Sequence, residues 1–127
     1  MIKSQKKAVG FQISSARVNR PSVLEDGLRY IYVRIFLEGT TDGQDYVGLD
    51  DVDYVIYKLH PSFEDSRLQR SGNRSSNFEI KIWTYGWFKT SATVITKDGQ
   101  AFEIGGKVEF TPTEDEIESN GKAEFQW

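Results

Sequence analysis

Two short segments hold most of the side chains in this sequence that could do chemistry. Leu59-His60-Pro61-Ser62-Phe63 carries the single histidine, with a serine two positions on. Trp83-Thr84-Tyr85-Gly86-Trp87-Phe88 follows as a dense aromatic run. In extended backbone His60 and Ser62 point the same way. As base and nucleophile they would suit a hydrolase. The chain has no G-x-S-x-G elbow and no evident acid to orient the histidine, so an enzyme is not expected. A polar pair beside several rings fits a small, largely apolar pocket with one or two fixed hydrogen bonds. The run from Trp83 to Phe88 cannot face inward throughout, because alternation sends neighbours to opposite faces. Gly86 marks a bend there. At least one large ring is therefore expected to be exposed or to line a pocket.

Other groupings carry less. Asp42, Asp45, Asp50, Asp51 and Asp53 make a carboxylate-rich stretch without the ligand order of a calcium loop. A turn and a charged approach to a strand explain them, so no metal and no cofactor is expected. Arg67, Arg70 and Arg74 crowd one segment. They read as a solvated loop or, with Phe63 and Tyr85 as stacking platforms, as an RNA-contacting patch. The net charge of −3 argues against bulk electrostatic binding to nucleic acid. The absence of cysteine excludes disulfides and thiolate metal sites and suits a reducing compartment. No apolar run reaches the ~18 residues of a membrane span. Residues 1–7 are basic but lack the apolar core of a signal peptide. A cytoplasmic location is expected, or a nuclear one in a eukaryote. Nothing in the sequence speaks to oligomeric state.

The elements that must position these groups are strands. Along 28–38, Ile31, Val33, Ile35 and Leu37 alternate with Tyr30, Tyr32, Arg34 and Phe36, which predicts an interior strand with one semi-buried face. Period-2 runs recur at 8–18, 52–59, 78–82, 88–95 and 101–110, the last with Gly105-Gly106 as a candidate bulge. Asp42-Gly43 and Lys97-Asp98-Gly99 read as hairpin turns. Asn19-Arg20-Pro21 and Glu25-Asp26-Gly27 bracket a longer loop. Residues 66–77 are polar and basic and read as a loop. Six to eight short strands at this spacing predict one domain over 1–127, all-β, an immunoglobulin-like antiparallel β-sandwich with its core at about 8–110. Residues 111–127 read as an acidic, solvated C-terminal tail. Thr113-x-x-Glu116 could cap a helical turn, and the last aromatics could tuck against the sheet.

The stretch Val55-Ile56-Tyr57-Lys58-Leu59-His60-Pro61-Ser62-Phe63, then a basic loop, then Asn77-Phe78 through Tyr85-Gly86-Trp87-Phe88, resembles a YEATS domain. The family shows a V-x-Y/F-x-L-H-x-S-F segment, an aromatic-glycine turn ending in Phe, and a Lys-rich hairpin whose place residues 91–99 take. The resemblance covers about residues 9–110, and the approach to the turn is closer to the prokaryotic branch. It implies a non-enzymatic module that recognises acylated lysine, or a similar planar acyl group, on a protein partner. His60 is then the strand-end histidine and Ser62 the hydrogen-bonding partner of the acyl amide. Phe63 and Tyr85 sandwich that amide, the Tyr85 N–H meets its carbonyl, and Phe88 packs at the pocket wall. Thr84 stands where a glycine is usual, Trp87 where a small or acidic residue is usual, and Leu28 where some members place an aromatic. With Gly86 these complete the predicted ligand-binding set: His60, Ser62, Phe63, Thr84, Tyr85, Gly86, Trp87 and Phe88. The alternatives are a general interaction or sensor sandwich with a degenerate pocket, and a nucleic-acid binder using the 67–74 segment.

Overall fold

The longest alternating run becomes the longest strand. The computed structural model describes residues 8–127, so the expectation for 1–7 lies outside the described residues. Among the described residues ten strands form: β1 (Ala8–Val9), β2 (Phe11–Arg17), β3 (Val23–Glu25), β4 (Leu28–Gly39), β5 (Tyr46–Val47), β6 (Val52–Lys58), β7 (Leu68–Ser71), β8 (Ile80–Thr84), β9 (Phe88–Thr96) and β10 (Ala101–Val108). β4 is the hub of one sheet. It pairs antiparallel with β2, with β3 and, from Ile31 opposite Thr84 to Ile35 opposite Ile80, with β8. The second sheet has the order β10-β9-β6-β7, antiparallel throughout. β1 and β5 form a small parallel pair beside them.

Alternation then fills the space between the sheets. Ile31, Val33, Ile35 and Leu37 of β4 are buried, as are Val55 and Tyr57 of β6 and Ala92 and Val94 of β9. Each large aliphatic removed from water contributes about 1.5–3 kcal/mol before entropy is subtracted. One polar bond crosses this core. The buried Tyr57 hydroxyl donates to the Phe78 carbonyl at 2.7 Å. Burial, with Glu79 adding to it, holds the phenol's pKa well above its ordinary value, so the hydroxyl stays a donor. Its acceptor sits in a tight corner, with Asn77 and Phe78 both in the left-handed region at φ 56° and 59°. Few residues adopt that conformation without compensation. The Tyr57 bond and the complete burial of the Phe78 ring supply it.

Several expectations need correction. The segment 66–77 is not simply a loop: Leu68–Ser71 is the edge strand β7, bonded to β6, followed by a 3-10 turn at Arg74–Ser76. An edge strand takes its stability from ladder hydrogen bonds, so a polar sequence suffices. No bulge occurs at Gly105-Gly106; the register runs unbroken from Ala101 opposite Ile95 to Val108 opposite Phe88. Gly106 serves a close approach instead, since a Cβ there would lie 2.7 Å from that of Ile13 in β2. The register shift falls in β6, between Val52 and Tyr54. Lys97-Asp98-Gly99 joins β9 to β10, whereas Asp42-Gly43 leads from β4 into β5, which pairs with β1 and not with β4. Asp26-Gly27, expected in a longer loop, is itself the two-residue turn of the β3–β4 hairpin, both residues at positive φ.

The largest correction concerns 111–127, which docks on the sandwich through the buried Glu116 and Phe125 although most of its other residues stay exposed. Helix α1 (Glu114–Asn120) starts with a capping box between Thr113 and Glu116. Glu116 is fully buried and takes two hydrogen bonds from the Arg17 guanidinium, one at 2.6 Å. A 3-10 turn at Lys122–Phe125 follows, with the Phe125 ring buried edge-on to Phe110. The acidic composition suggested a solvated run, but its key carboxylate has a partner 99 residues away in sequence. Among the described residues no helix is long and apolar enough to cross a membrane.

Burial alone would push the Glu116 carboxyl up; the Arg17 and Thr113 hydrogen bonds and the Arg17 charge outweigh it and hold the group below its ordinary value. A carboxyl depressed by folding adds stability above its unfolded pKa and loses it as pH falls through the folded one. Breaking a fully buried ion pair costs about 3–5 kcal/mol. The Arg17 side chain keeps 26% of its surface in water. Glu116→Gln should therefore cost nearer to ~2 kcal/mol in urea unfolding at neutral pH. Its stability should also fall less steeply than the parent's as pH drops below the ordinary carboxylate range. Equal acid slopes for the two proteins would contradict this account of the pair.

Candidate binding site

β6 and β8 deliver the two groups of candidate residues to one end of the sandwich. Beyond β6 the chain runs through Leu59, which is buried, to His60, whose backbone starts a 3-10 turn with Pro61 at its first position. The imidazole Nδ1 caps that turn. It accepts the Ser62 backbone N–H at 3.1 Å and lies 2.8 Å from the Ser62 hydroxyl. An acceptor Nδ1 places the ring proton on Nε2, and the serine hydroxyl then donates to the ring. Its lone pairs are left for another donor. Glu64, at φ 51°, turns the chain away after Phe63.

Beyond β8 the chain makes a tight turn through Tyr85 and Gly86 into β9. Thr84 braces it, its buried hydroxyl donating to the Gly86 carbonyl at 2.9 Å. The C-terminal segment closes the other side. Asn120 on α1 donates to the carbonyls of Tyr85 and Arg29, both at 2.8 Å. The Trp87 N–H donates to the Glu124 carbonyl at 2.7 Å. A Cβ on Gly86 would lie 2.9 Å from that same carbonyl oxygen and 3.0 Å from the Glu124 Cβ. Only glycine fits beneath this crossing without displacing it.

Between the two walls lies a cavity of about 200 Å³. All eight singled-out residues border it: His60, Ser62, Phe63, Thr84, Tyr85, Gly86, Trp87 and Phe88. Tyr30, Trp83 and Glu124 border it too. The Phe63 and Phe88 rings are 5.3 Å apart, and Tyr30 meets Tyr85 edge-on at 5.8 Å. The Trp87 indole is anchored, its N–H donating to the Phe110 carbonyl at 2.8 Å and its ring against Trp127. Leu28 pairs with Glu25 in the β3–β4 hairpin and is not among the lining residues. The three additional lining residues had uneven signals. Tyr30 and Trp83 lay on half-buried faces of alternating runs, whereas Glu124 belonged to a segment read as tail.

The competing groupings are occupied within the chain. Arg67 donates to the Leu59 carbonyl, Arg70 lies over the Tyr54 ring, and Arg74 pairs with Asp50. Among the described residues no cluster of three potential metal ligands occurs.

The sandwich and its loop-end cavity define an immunoglobulin-like binding fold. The family model for the prokaryotic YEATS domain matches residues 31–111, and the chain belongs to that family, whose members are non-catalytic binding modules. No curated protein matches. Among solved structures, the Yaf9 YEATS domain recognizing an H3K122suc peptide superposes with a TM-score of 0.55 at 13% identity, over 80% of this chain and 71% of that one. The yeast AF-9 homolog protein Yaf9 gives 0.53 at 15%, over 80% and 69%. The Yaf9 YEATS domain bound to H3K27ac gives 0.54 at 14%, over 81% and 71%. At these identities the likeness is one of fold.

Two substitutions test the turn. Gly86→Ala should force the 121–124 segment away, lower stability by about 1–3 kcal/mol, and speed hydrogen exchange at the Trp87 amide. Thr84→Val keeps the shape and removes the brace; about 1 kcal/mol of stability should go with it. Unchanged Trp87 exchange in Gly86→Ala would mean that the crossing does not hold the turn.

Proposed function

We propose that this domain binds an acylated lysine of a partner protein in the cavity between the His60–Phe63 turn and the Tyr85–Phe88 turn. The observation that carries the reading is that one small cavity is bordered by Ser62 together with six aromatic residues: Tyr30, Phe63, Trp83, Tyr85, Trp87 and Phe88. Acylation removes the lysine charge and leaves a planar amide. A planar amide stacks well against rings, and its entry avoids the large cost of desolvating an ammonium. With its own proton donated to His60, Ser62 is free to accept the amide N–H. The Tyr85 N–H is the proposed donor to the acyl carbonyl. His60 is then a positioning residue, fixing the serine rotamer through Nδ1. Family membership supports the reading, as do the acylated-histone peptides carried by the structurally similar Yaf9 domains.

The test is titration of the domain with peptides carrying acetyl-, crotonyl-, trimethyl- or unmodified lysine, followed by chemical-shift perturbation. Shifts for the acyl peptides should centre on Ser62, Phe63 and Tyr85. Tyr85→Ala should weaken binding by about 1–3 kcal/mol through loss of a stacking face. Ser62→Ala should cost about 1 kcal/mol. Tighter binding of trimethyl-lysine than of either acyl form would overturn the proposal, because rings beside a carboxylate also make a cage for a methylated ammonium.

A further inference from the structure

The cavity has a charge bias that the family assignment does not supply. Of its lining residues Glu124 is the one carboxylate, and neither lysine nor arginine is among them. Its position is fixed from both sides. The Glu124 carbonyl accepts the Trp87 N–H and its amide donates to Gly121. One carboxylate oxygen lies 2.9 Å from where a Cβ on Gly86 would sit, so the charge stands directly over the turn. Among the described residues no hydrogen bond or ion pair engages that carboxylate. A volume of about 200 Å³ equals a sphere roughly 7 Å across, shorter than the screening length of about 8 Å at physiological salt. A second negative charge inside the cavity would feel Glu124 with little screening, and no lysine or arginine borders the cavity to compensate it.

Resting on the acyl-lysine reading, we infer that Glu124 makes this pocket selective for uncharged acyl groups and excludes acidic ones such as succinyl or malonyl. Acetyl and crotonyl chains bring no charge to the Gly86 side of the cavity. A succinyl chain ends in a carboxylate that must either stay outside or face Glu124. Like charges this close oppose binding and set specificity more than they set affinity for the permitted ligand. The device is absent from the motif that carries the fold: Glu124 lies outside the matched residues 31–111 and reaches the pocket only because α1 and the following turn bring it back.

The readout is the ratio of dissociation constants for succinyl- and acetyl-lysine versions of one peptide. For the parent protein succinyl should bind at least about tenfold more weakly. Raising salt from about 0.1 M to about 1 M should narrow the gap. Glu124→Gln should bring the ratio to within about threefold, and Glu124→Lys should reverse it in favour of succinyl. The Trp87 bond uses the Glu124 backbone, so both variants keep it, and thermal unfolding checks that they fold. Equal affinities in the parent, or a ratio that Glu124→Gln and Glu124→Lys leave unchanged, would overturn the inference while leaving acyl-lysine binding intact. Absence of binding to every acyl peptide would overturn both.

Discussion

The site depends on a backbone crossing at Gly86, where the chain's last turn lies on its aromatic turn with room for a hydrogen and nothing larger. Neither strand of that turn holds it alone. Thr84 braces it from within, while Asn120 and the Glu124 carbonyl hold it from a segment more than thirty residues further on. The Tyr85 and Trp87 rings are aimed by bonds to their own backbones, made by residues that β-strand periodicity never mentions. Preorganisation of this kind lowers the ordering cost of binding, since the wall is built before a ligand arrives.

The opposite wall is fixed more cheaply. His60 and Ser62 organise each other within three residues, through a local hydrogen-bonded turn that needs no distant partner. What does need distance is bringing the walls together. The sandwich core does this, with the buried Tyr57 hydroxyl tying β6 to the corner from which β8 begins. Thus a local motif, a long-range polar bond and a packed terminus each contribute one constraint to the same 200 Å³ cavity.

How much of this could be read from the chain follows the range of the interactions. β4, β6 and β9 were legible because their buried residues recur with period two, and Ile31, Val33, Val55 and Val94 keep that period in the core. β7 was not, because an edge strand of Leu68, Gln69, Arg70 and Ser71 declares itself only through its ladder to β6. The glycine pair in β10 looked like a bulge from its composition; the side chain that explains Gly106 belongs to Ile13, over ninety residues earlier. The two motif turns were visible as residue types at fixed spacing. Glu124 and the Arg17–Glu116 pair were not, since each acquires its role from a partner that spacing along the chain cannot reveal.

The placement of indoles has an optical consequence. The chain has three tryptophans. Trp83 and Trp87 border the cavity, and Trp127 packs against Trp87 with ring centres 5.6 Å apart and planes inclined by 33°. Every intrinsic indole chromophore thus sits in or against the site, and none reports on the far end of the sandwich. Tryptophan emission and the indole bands of near-ultraviolet ellipticity are therefore local signals in this protein, and the Trp87 and Trp127 rings are close enough for their transitions to couple. The domain carries its own spectroscopic probe for the docking of its terminus and the filling of its pocket, with no label attached.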